Sequence, residues 1–275
     1  MKKISILVLA LMIVLTCISV AQAGVLNADV NPGNIKIDSK FDGAKLNISG
    51  NVPDGASVFI KVTSPNDAVL ELNKKGKVGF LWMNVENTTV TGVPKLYKIV
   101  TSSPLDRVPA GLRDELGLSP DFKSLYSSGV VKKHTESGKE VLTGSDAVSF
   151  IESLIGIYKS ENLYSVSEGD VEIKDGKYTA TIDLPPNIPQ EKCSVTVYAV
   201  KNGSLVDTAV ASFDVGSVGI VEWLSREAVY SGPEYGFICV LIALFFGAGV
   251  AMLFSFVENL LSGGKKTGFN PGAGH

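Results

Sequence analysis

The chain has 275 residues, of which 45% are hydrophobic, and a formal net charge of −3. Its mean hydropathy is +0.24, and two apolar segments, at residues 4–20 and 235–256, account for most of that positive value. The sequence between them is mildly acidic, which excludes the basic surface that binds nucleic acid, so we expect no nucleic-acid partner. Between the ends, about 210 residues remain for one large domain or two small ones.

Residues 1–23 have the features of an export signal. Two lysines precede a long apolar run, and Ala21-Gln22-Ala23 then supplies the small residues that signal peptidase requires. We therefore predict cleavage between Ala23 and Gly24. The alternatives are an uncleaved N-terminal anchor and a lipoprotein signal that ends at Cys17, where the preceding threonine is a poor fit.

The second apolar segment, Tyr235–Phe256, contains no charged residue. At 1.5 Å per residue, a helix of this length extends about 33 Å, enough to cross a hydrocarbon core of about 30 Å. Lys265 and Lys266 follow it, and the positive-inside rule assigns the tail, residues 257–275, to the cytoplasm. Together with the export signal, this predicts a single-pass membrane protein. Residues 24–216 would then form an ectodomain in the periplasm or the extracellular space.

Small residues recur at every fourth position of this segment. Ala243, Gly247 and Ala251 share one face of a helix, where small side chains let a second helix approach closely. The pattern predicts association with another membrane helix. Ordinary use of glycine and alanine in membrane helices is the alternative.

The segment before the span, residues 217–234, is predicted to lie at the membrane surface. Apolar residues within Val218–Tyr230 fall on one face of a helix, with polar and charged residues opposite. Trp223, Tyr230 and Tyr235 carry the amphipathic rings that favour the membrane interface. The alternative is a helix that docks on the ectodomain.

Between the two ends, short segments rich in β-formers predict strands at residues 34–101 and again at 171–215. Asp175-Gly176 and Asn202-Gly203 are typical of hairpin turns. A helical pattern replaces the strand pattern at about 104–160, with an exposed connection expected around 132–139. The predicted fold is mainly β: an immunoglobulin-like or fibronectin-like sandwich with a helical insertion, followed by one transmembrane helix. The pattern leaves open whether the strands form one sandwich or two β units.

Residues that carry chemistry are sparse. Cys193 is the only cysteine of the expected ectodomain, so no intramolecular disulfide can form there, and its strand position favours a small buried side chain. His134 is the only histidine there, which argues against a zinc site or a catalytic triad. We predict no catalytic, cofactor-binding or metal-binding residue.

Two other functions stay open at this point: a hydrolase that uses scattered carboxylates, and a module that binds a solute or an envelope polymer. The second would be favoured by an exposed aromatic groove. The tyrosines that could line it are Tyr97, Tyr126, Tyr158 and Tyr164.

Several segments together resemble one family. They are Ile35–Ala44, Val93–Tyr97, Thr101–Leu105, Leu184–Pro189 and Glu234–Gly236. In this order, and with this topology, they are similar to a transmembrane protein family first catalogued in alphaproteobacteria. Its members combine a signal peptide, a β-rich periplasmic domain and one C-terminal span, and the resemblance covers about residues 25–256. The resemblance implies a location in the bacterial inner (cytoplasmic) membrane.

The resemblance implies no catalytic residues. Members of the family are often encoded near permeases of the sulfite-exporter type, which implies a role in transport. The leading hypothesis is therefore a non-enzymatic accessory or scaffolding module without a cofactor. Its partner would be an integral membrane protein such as a permease-type transporter.

Overall fold

The computed structural model describes residues 26–135, 138–230 and 232–261. The chain divides into two compact units, one that ends at Ser217 and one that begins at Val218. The predicted cleavage site at Ala21, Ala23 and Gly24 lies outside the described residues. Most of the predicted cytoplasmic tail, from residue 262 onward, lies outside them as well.

The first unit is built mainly from strands. They are β1 (Asp29–Asn31), β2 (Asn34–Ile37), β3 (Ala44–Asn51), β4 (Ser57–Thr63), β5 (Leu70–Val78), β6 (Leu81–Thr91), β7 (Tyr97–Thr101), β8 (Val130–Thr135), β9 (Gly138–Leu142), β10 (Tyr164–Glu168), β11 (Val171–Lys174), β12 (Lys177–Leu184), β13 (Lys192–Lys201) and β14 (Ser204–Ser217). Its helices are α1 (Ala110–Glu115), α2 (Ser124–Ser128) and α3 (Gly144–Ser160).

The strands form three sheets. Sheet A has the order β1-β3-β12-β11, sheet B has the order β10-β7-β4-β13-β14-β2, and sheet C has the order β5-β6-β8-β9. Strands from before the insertion pair with strands from after it, β3 with β12 and β4 with β13. The two β regions are therefore one unit, which resolves the alternative that the sequence left open.

The mainly β prediction is confirmed, together with the single apolar C-terminal helix. The immunoglobulin-like or fibronectin-like form of the sandwich is not confirmed. Sheet B is mixed, because β10 pairs in parallel with β7 at one edge and β2 pairs in parallel with β14 at the other. These two parallel pairs depart from the antiparallel pattern of such sandwiches.

Side-chain alternation explains how the sheets share a core. Along β12, every second residue is buried, from Tyr178 to Leu184, and the residues between them face solvent. The strand β7 is buried throughout, as expected for a strand covered on both faces. Buried side chains from all three sheets belong to one hydrophobic cluster. Exclusion of this apolar surface from water is the main term that stabilises the unit.

The two predicted hairpin turns are present. Asp175 and Gly176 join β11 to β12 with φ angles of 51° and 70°, and Asn202 and Gly203 join β13 to β14 with φ angles of 52° and 76°. Two consecutive positive φ angles are the geometry of a type I′ turn, whose twist matches that of the flanking strands. Asn-Gly and Asp-Gly meet this requirement with little strain.

The insertion between β7 and β10 holds the three helices and one feature that the sequence pattern did not predict. Residues 132–135 and 138–139, expected as part of an exposed connection, are half-buried or exposed but belong to the paired strands β8 and β9. The expectation of an irregular connection was wrong because the pairing that fixes β8 is nonlocal. Val131, which is 1% exposed, lies opposite Val90 of β6 and is buried in the core.

The second unit consists of α4 (Ile220–Tyr230) and α5 (Gly232–Leu261). Within the described residues, Gly232–Glu258 is long and apolar enough to cross a membrane, and an 18-residue stretch of it has a mean hydropathy of 2.7. No residue of that stretch is buried.

Candidate interaction surfaces

The tyrosines that could have formed an exposed groove pack inside the first unit instead. Tyr97, Phe122, Tyr158 and Tyr164 form an aromatic cluster with ring centroids 5.1 to 5.8 Å apart. Tyr97 and Tyr164 are 5% and 2% exposed, and their hydroxyls donate hydrogen bonds to backbone carbonyl oxygens. Tyr126 is partly buried against the same core. These four tyrosines therefore do not form the exposed aromatic groove that would have favoured a solute- or polymer-binding module.

The thiol of Cys193 is fully buried on β13, as its strand position predicted. Burial, reinforced by the carboxylates of Glu191 and Asp214, raises the pKa of the Cys193 thiol to about 12. The thiol therefore stays protonated at neutral pH, whereas a nucleophilic cysteine needs a lowered pKa. Cys193 acts here as a small hydrophobic side chain.

His134 lies on β8 beside a polar pocket on the open face of sheet C. The pocket has a volume of about 270 Å³ and is lined by Glu71, Asn73, Asn84, Asn87, Thr88, Thr89 and His134. Its amides and hydroxyls are groups that can hold a polar solute. Among the residues that the structure describes, no three His, Cys, Asp or Glu side chains are arranged to hold a metal ion.

One lysine is buried between sheets A and B. The Lys98 side chain on β7 is 2% exposed, and its Nζ donates to Asn162 Oδ1 at 3.1 Å and to Ser165 Oγ at 3.2 Å. Desolvation lowers the pKa of Lys98 to about 8, although the carboxylate of Asp183 opposes the shift. Asp170 and Asp183 line the small cavity beside it. This lysine is the buried cation that the sequence pattern missed, since it occupies a position in an otherwise apolar strand.

The hairpin of β5 and β6 extends beyond the rest of sheet C. Only residues Thr88–Thr91 of β6 pair with β8, whereas β5 and β6 remain paired as far as Val78 and Leu81. Residues 74–85, which we term the distal hairpin, therefore form a ribbon of two strands. With a rise of about 3.4 Å per residue, its tip lies about 20 Å from Lys74.

The tip of the distal hairpin exposes apolar side chains. Phe80 is 88% exposed and Trp82 is 71% exposed. Further exposed apolar side chains are Leu81 at 54%, Met83 at 47% and Val85 at 46%. Gly79, with a φ of +64°, forms the two-residue turn together with Phe80. A glycine is favoured there because side chains rarely adopt positive φ.

The two faces of the distal hairpin differ in chemistry. On one face, strand register places Met83 opposite Gly76, and Leu81 lies on the same side. On the other face, Trp82 lies opposite Lys77. Asn84 lies opposite Lys75 on that same face. Lys74, Lys75 and Lys77 are exposed, and no acidic residue occurs within residues 74–85, although strand register places Glu86 opposite Lys74 at the base of the ribbon. The distal hairpin therefore combines an apolar tip with a cluster of positive charge.

The apolar helix α5 presents an open surface within the chain. A Cβ atom placed on Gly247 would meet no atom within 4 Å, so the face formed by Ala243, Gly247 and Ala251 is accessible in this chain. Trp223 is 41% exposed and Tyr235 is half-buried, and the side chain of Tyr230 lies outside the described positions. Roles for these residues at a helix contact or at the membrane interface stay predictions.

Within the described residues, a mainly β unit joined to one apolar C-terminal helix indicates a membrane-anchored protein. The chain belongs to the family described as "Putative transmembrane protein (Alph_Pro_TM)", whose sequence profile matches residues 25–255. The family resemblance recognised in the sequence is thus confirmed. No curated protein and no solved structure matches the chain.

Reasoning from the sequence missed the distal hairpin as a surface. Residues 78–85 were assigned to a strand, and the same residues contained a further signal. Phe80, Leu81, Trp82 and Met83 are four consecutive large apolar residues beside a glycine, without the alternation of a half-buried strand. An apolar run of this kind next to a turn indicates an exposed apolar surface unless another element covers it.

Proposed function

We propose that this chain is a membrane-anchored binding module that acts by contact rather than by catalysis. Its β-rich unit would lie in the periplasm, anchored by α5 in the inner membrane with the tail in the cytoplasm. The proposed role is that of an accessory or scaffold for an integral membrane partner such as a permease-type transporter. A C-terminal fusion to green fluorescent protein, which fluoresces only in the cytoplasm, tests the orientation: a dark fusion would reverse it.

One observation carries the proposal: a compact β unit and a single apolar helix occur on one chain, and both present open apolar surface. The 18-residue apolar stretch of α5 contains no buried residue, and the distal hairpin exposes a second apolar surface. Surfaces of this kind mark contacts with a membrane or another protein. The export signal, the lysines after the span and the family's gene neighbourhood support the assigned side and partner.

The small-residue face of α5 offers a direct test of the partner. Gly247→Leu fills the position where a second helix would approach, whereas Gly249→Leu adds the same volume away from that face. The tagged full-length chain would be purified in mild detergent from its native membrane, and co-purifying proteins would be identified by mass spectrometry. We expect one stoichiometric membrane protein with the parent chain.

Gly247→Leu should lower the recovery of that partner by about tenfold, which corresponds to the loss of one close helix contact. Gly249→Leu should retain it. Equal recovery with both variants would contradict the assigned face, and a parent chain that purifies without any companion would contradict the accessory role.

A further inference from the structure

The apolar tip of the distal hairpin is more than isolated surface hydrophobicity. Single exposed apolar residues are ordinary on protein surfaces, but here Phe80, Leu81, Trp82 and Met83 are consecutive and are all about half exposed or more. Val85 continues the same surface. A contiguous apolar patch at the end of a protruding ribbon has the shape to insert into an apolar layer, whereas a flat patch could only lie against the surface of such a layer.

The backbone of the ribbon is suited to a shallow insertion. The strands β5 and β6 pair with each other up to the turn, so their inward-facing amide and carbonyl groups are already hydrogen-bonded. The outward-facing amide and carbonyl groups of a two-stranded ribbon have no partner strand, and unpaired backbone groups are costly in hydrocarbon. Such a ribbon is therefore restricted to the headgroup region and the outermost acyl carbons. Trp82 has the ring that favours this interface, and Phe80 and Leu81 can reach slightly deeper.

The charges beside the tip identify the surface that it fits. Lys74, Lys75 and Lys77 lie on β5 within a few residues of the tip. Strand register places Glu86 opposite Lys74, whereas Lys75 and Lys77, nearer the tip, lie opposite the uncharged Asn84 and Trp82. Among the ion pairs of the described side chains, none includes Lys75 or Lys77. Clusters of lysine attract anionic phospholipid headgroups, and aromatic residues beside them add interfacial binding.

The chain itself links the unit that carries the hairpin to the apolar helix. Ser217 ends β14, and the apolar helix α5 begins at Gly232, so a short segment tethers the β unit to its own membrane anchor. Tethering raises the effective concentration of a second contact site, so that even a weak contact is occupied for much of the time.

We propose that the distal hairpin is a second membrane contact, whose apolar tip enters the interface of an anionic phospholipid bilayer and whose lysines bind the headgroups. The contact is independent of any protein partner. It would hold the β unit at the bilayer surface, so that the chain engages the membrane at two points.

Trp82 provides the readout. The chain has two tryptophans, so Trp223→Phe leaves Trp82 as the only one. The full-length variant would be reconstituted into proteoliposomes of phosphatidylcholine alone or with phosphatidylglycerol, with and without brominated acyl chains that quench nearby tryptophan. With phosphatidylglycerol, we expect a blue-shifted emission and a loss of about half of its intensity to the quencher.

Two variants serve as controls. In the first, Val210→Trp is combined with Trp82→Phe and Trp223→Phe, which places the single tryptophan on β14 at a position that is 68% exposed and remote in sequence from the hairpin. It should remain unquenched. In the second, Lys74→Gln, Lys75→Gln and Lys77→Gln are added to Trp223→Phe and should return Trp82 quenching to the value found in phosphatidylcholine alone.

Three outcomes would overturn the proposal. Emission typical of water, unquenched in both lipids, would show that the tip stays outside the bilayer. A blue shift that grows with protein density but is insensitive to brominated lipid would assign the tip to a second copy of the chain. Strong quenching that survives the lysine substitutions would show that the anionic headgroups do not contribute to the contact. The first outcome leaves the proposed function standing, because that proposal is tested by the partner's recovery.

Discussion

The aromatic cluster and the distal hairpin use similar side chains in opposite ways. In the cluster, Tyr97 and Tyr164 are nearly inaccessible, and each hydroxyl has a backbone acceptor. At the tip, Phe80 and Trp82 are mostly exposed. Aromatic residues stabilise a fold where their polar atoms find partners inside it. Large apolar side chains left on a protruding ribbon contribute little to that fold, and they are available to another surface.

The largest expected effect belongs to the cluster. Tyr164→Ala removes a ring that contacts Tyr97, Phe122 and Tyr158, and should lower the free energy of unfolding by about 3–5 kcal/mol. Tyr164→Phe keeps the ring and loses only the hydrogen bond to Pro94, so it should cost about 1–2 kcal/mol. Urea unfolding of the full-length chain in detergent, followed by near-ultraviolet circular dichroism, measures both. Equal losses for the two variants would mean that ring packing contributes little.

The next effect concerns Lys98 and depends on pH. The pKa of Lys98 falls from 10.5 to about 8 on folding, so the unfolded chain binds a proton that the folded chain lacks between those values. Below pH 8, the buried charge of Lys98 lowers the free energy of unfolding by the full amount that the pKa shift represents. This penalty disappears as the pH rises to 10.5. The shift corresponds to at most about 3 kcal/mol.

Lys98→Met removes the titrating group and keeps most of its volume. The variant should gain stability relative to the parent chain at pH 7, and the gain should shrink at pH 10. Comparing the two proteins cancels the titration of the buried tyrosines, which both contain. Urea unfolding at the two pH values gives the difference; a difference that does not change with pH would show that Lys98 carries no pH-dependent penalty.

The smallest effect on stability is expected at the tip. Phe80→Ser combined with Trp82→Ser should change the free energy of unfolding in detergent by no more than about 0.5 kcal/mol, because both side chains are already exposed. The same urea experiment applies. A loss of several kcal/mol would place these rings in the folded core and would erase the contrast between the two regions.

Local sequence patterns predicted some elements well because their cause is local. The turn at Asp175-Gly176 follows from backbone preference, and the alternation of Lys177–Leu184 follows from one buried face. The hairpin around His134 escaped prediction because β8 is fixed by pairing with β6, about forty residues away in the chain. The burial of Tyr97 and Tyr164 likewise depends on which elements pack over them, and a tyrosine alone does not encode that.

The long strand β14 has a mechanical consequence. It pairs with β13 along most of its length and with β2 through its last four residues, and it ends at Ser217, shortly before α4 begins at Ile220. Any tension between the membrane anchor and the β unit therefore enters the fold through the end of this strand. Hydrogen bonds between strands run roughly across the strand direction, so a pull along β14 loads them in shear, all at once. The unit should resist such a force until the whole ladder ruptures, instead of unzipping one bond after another.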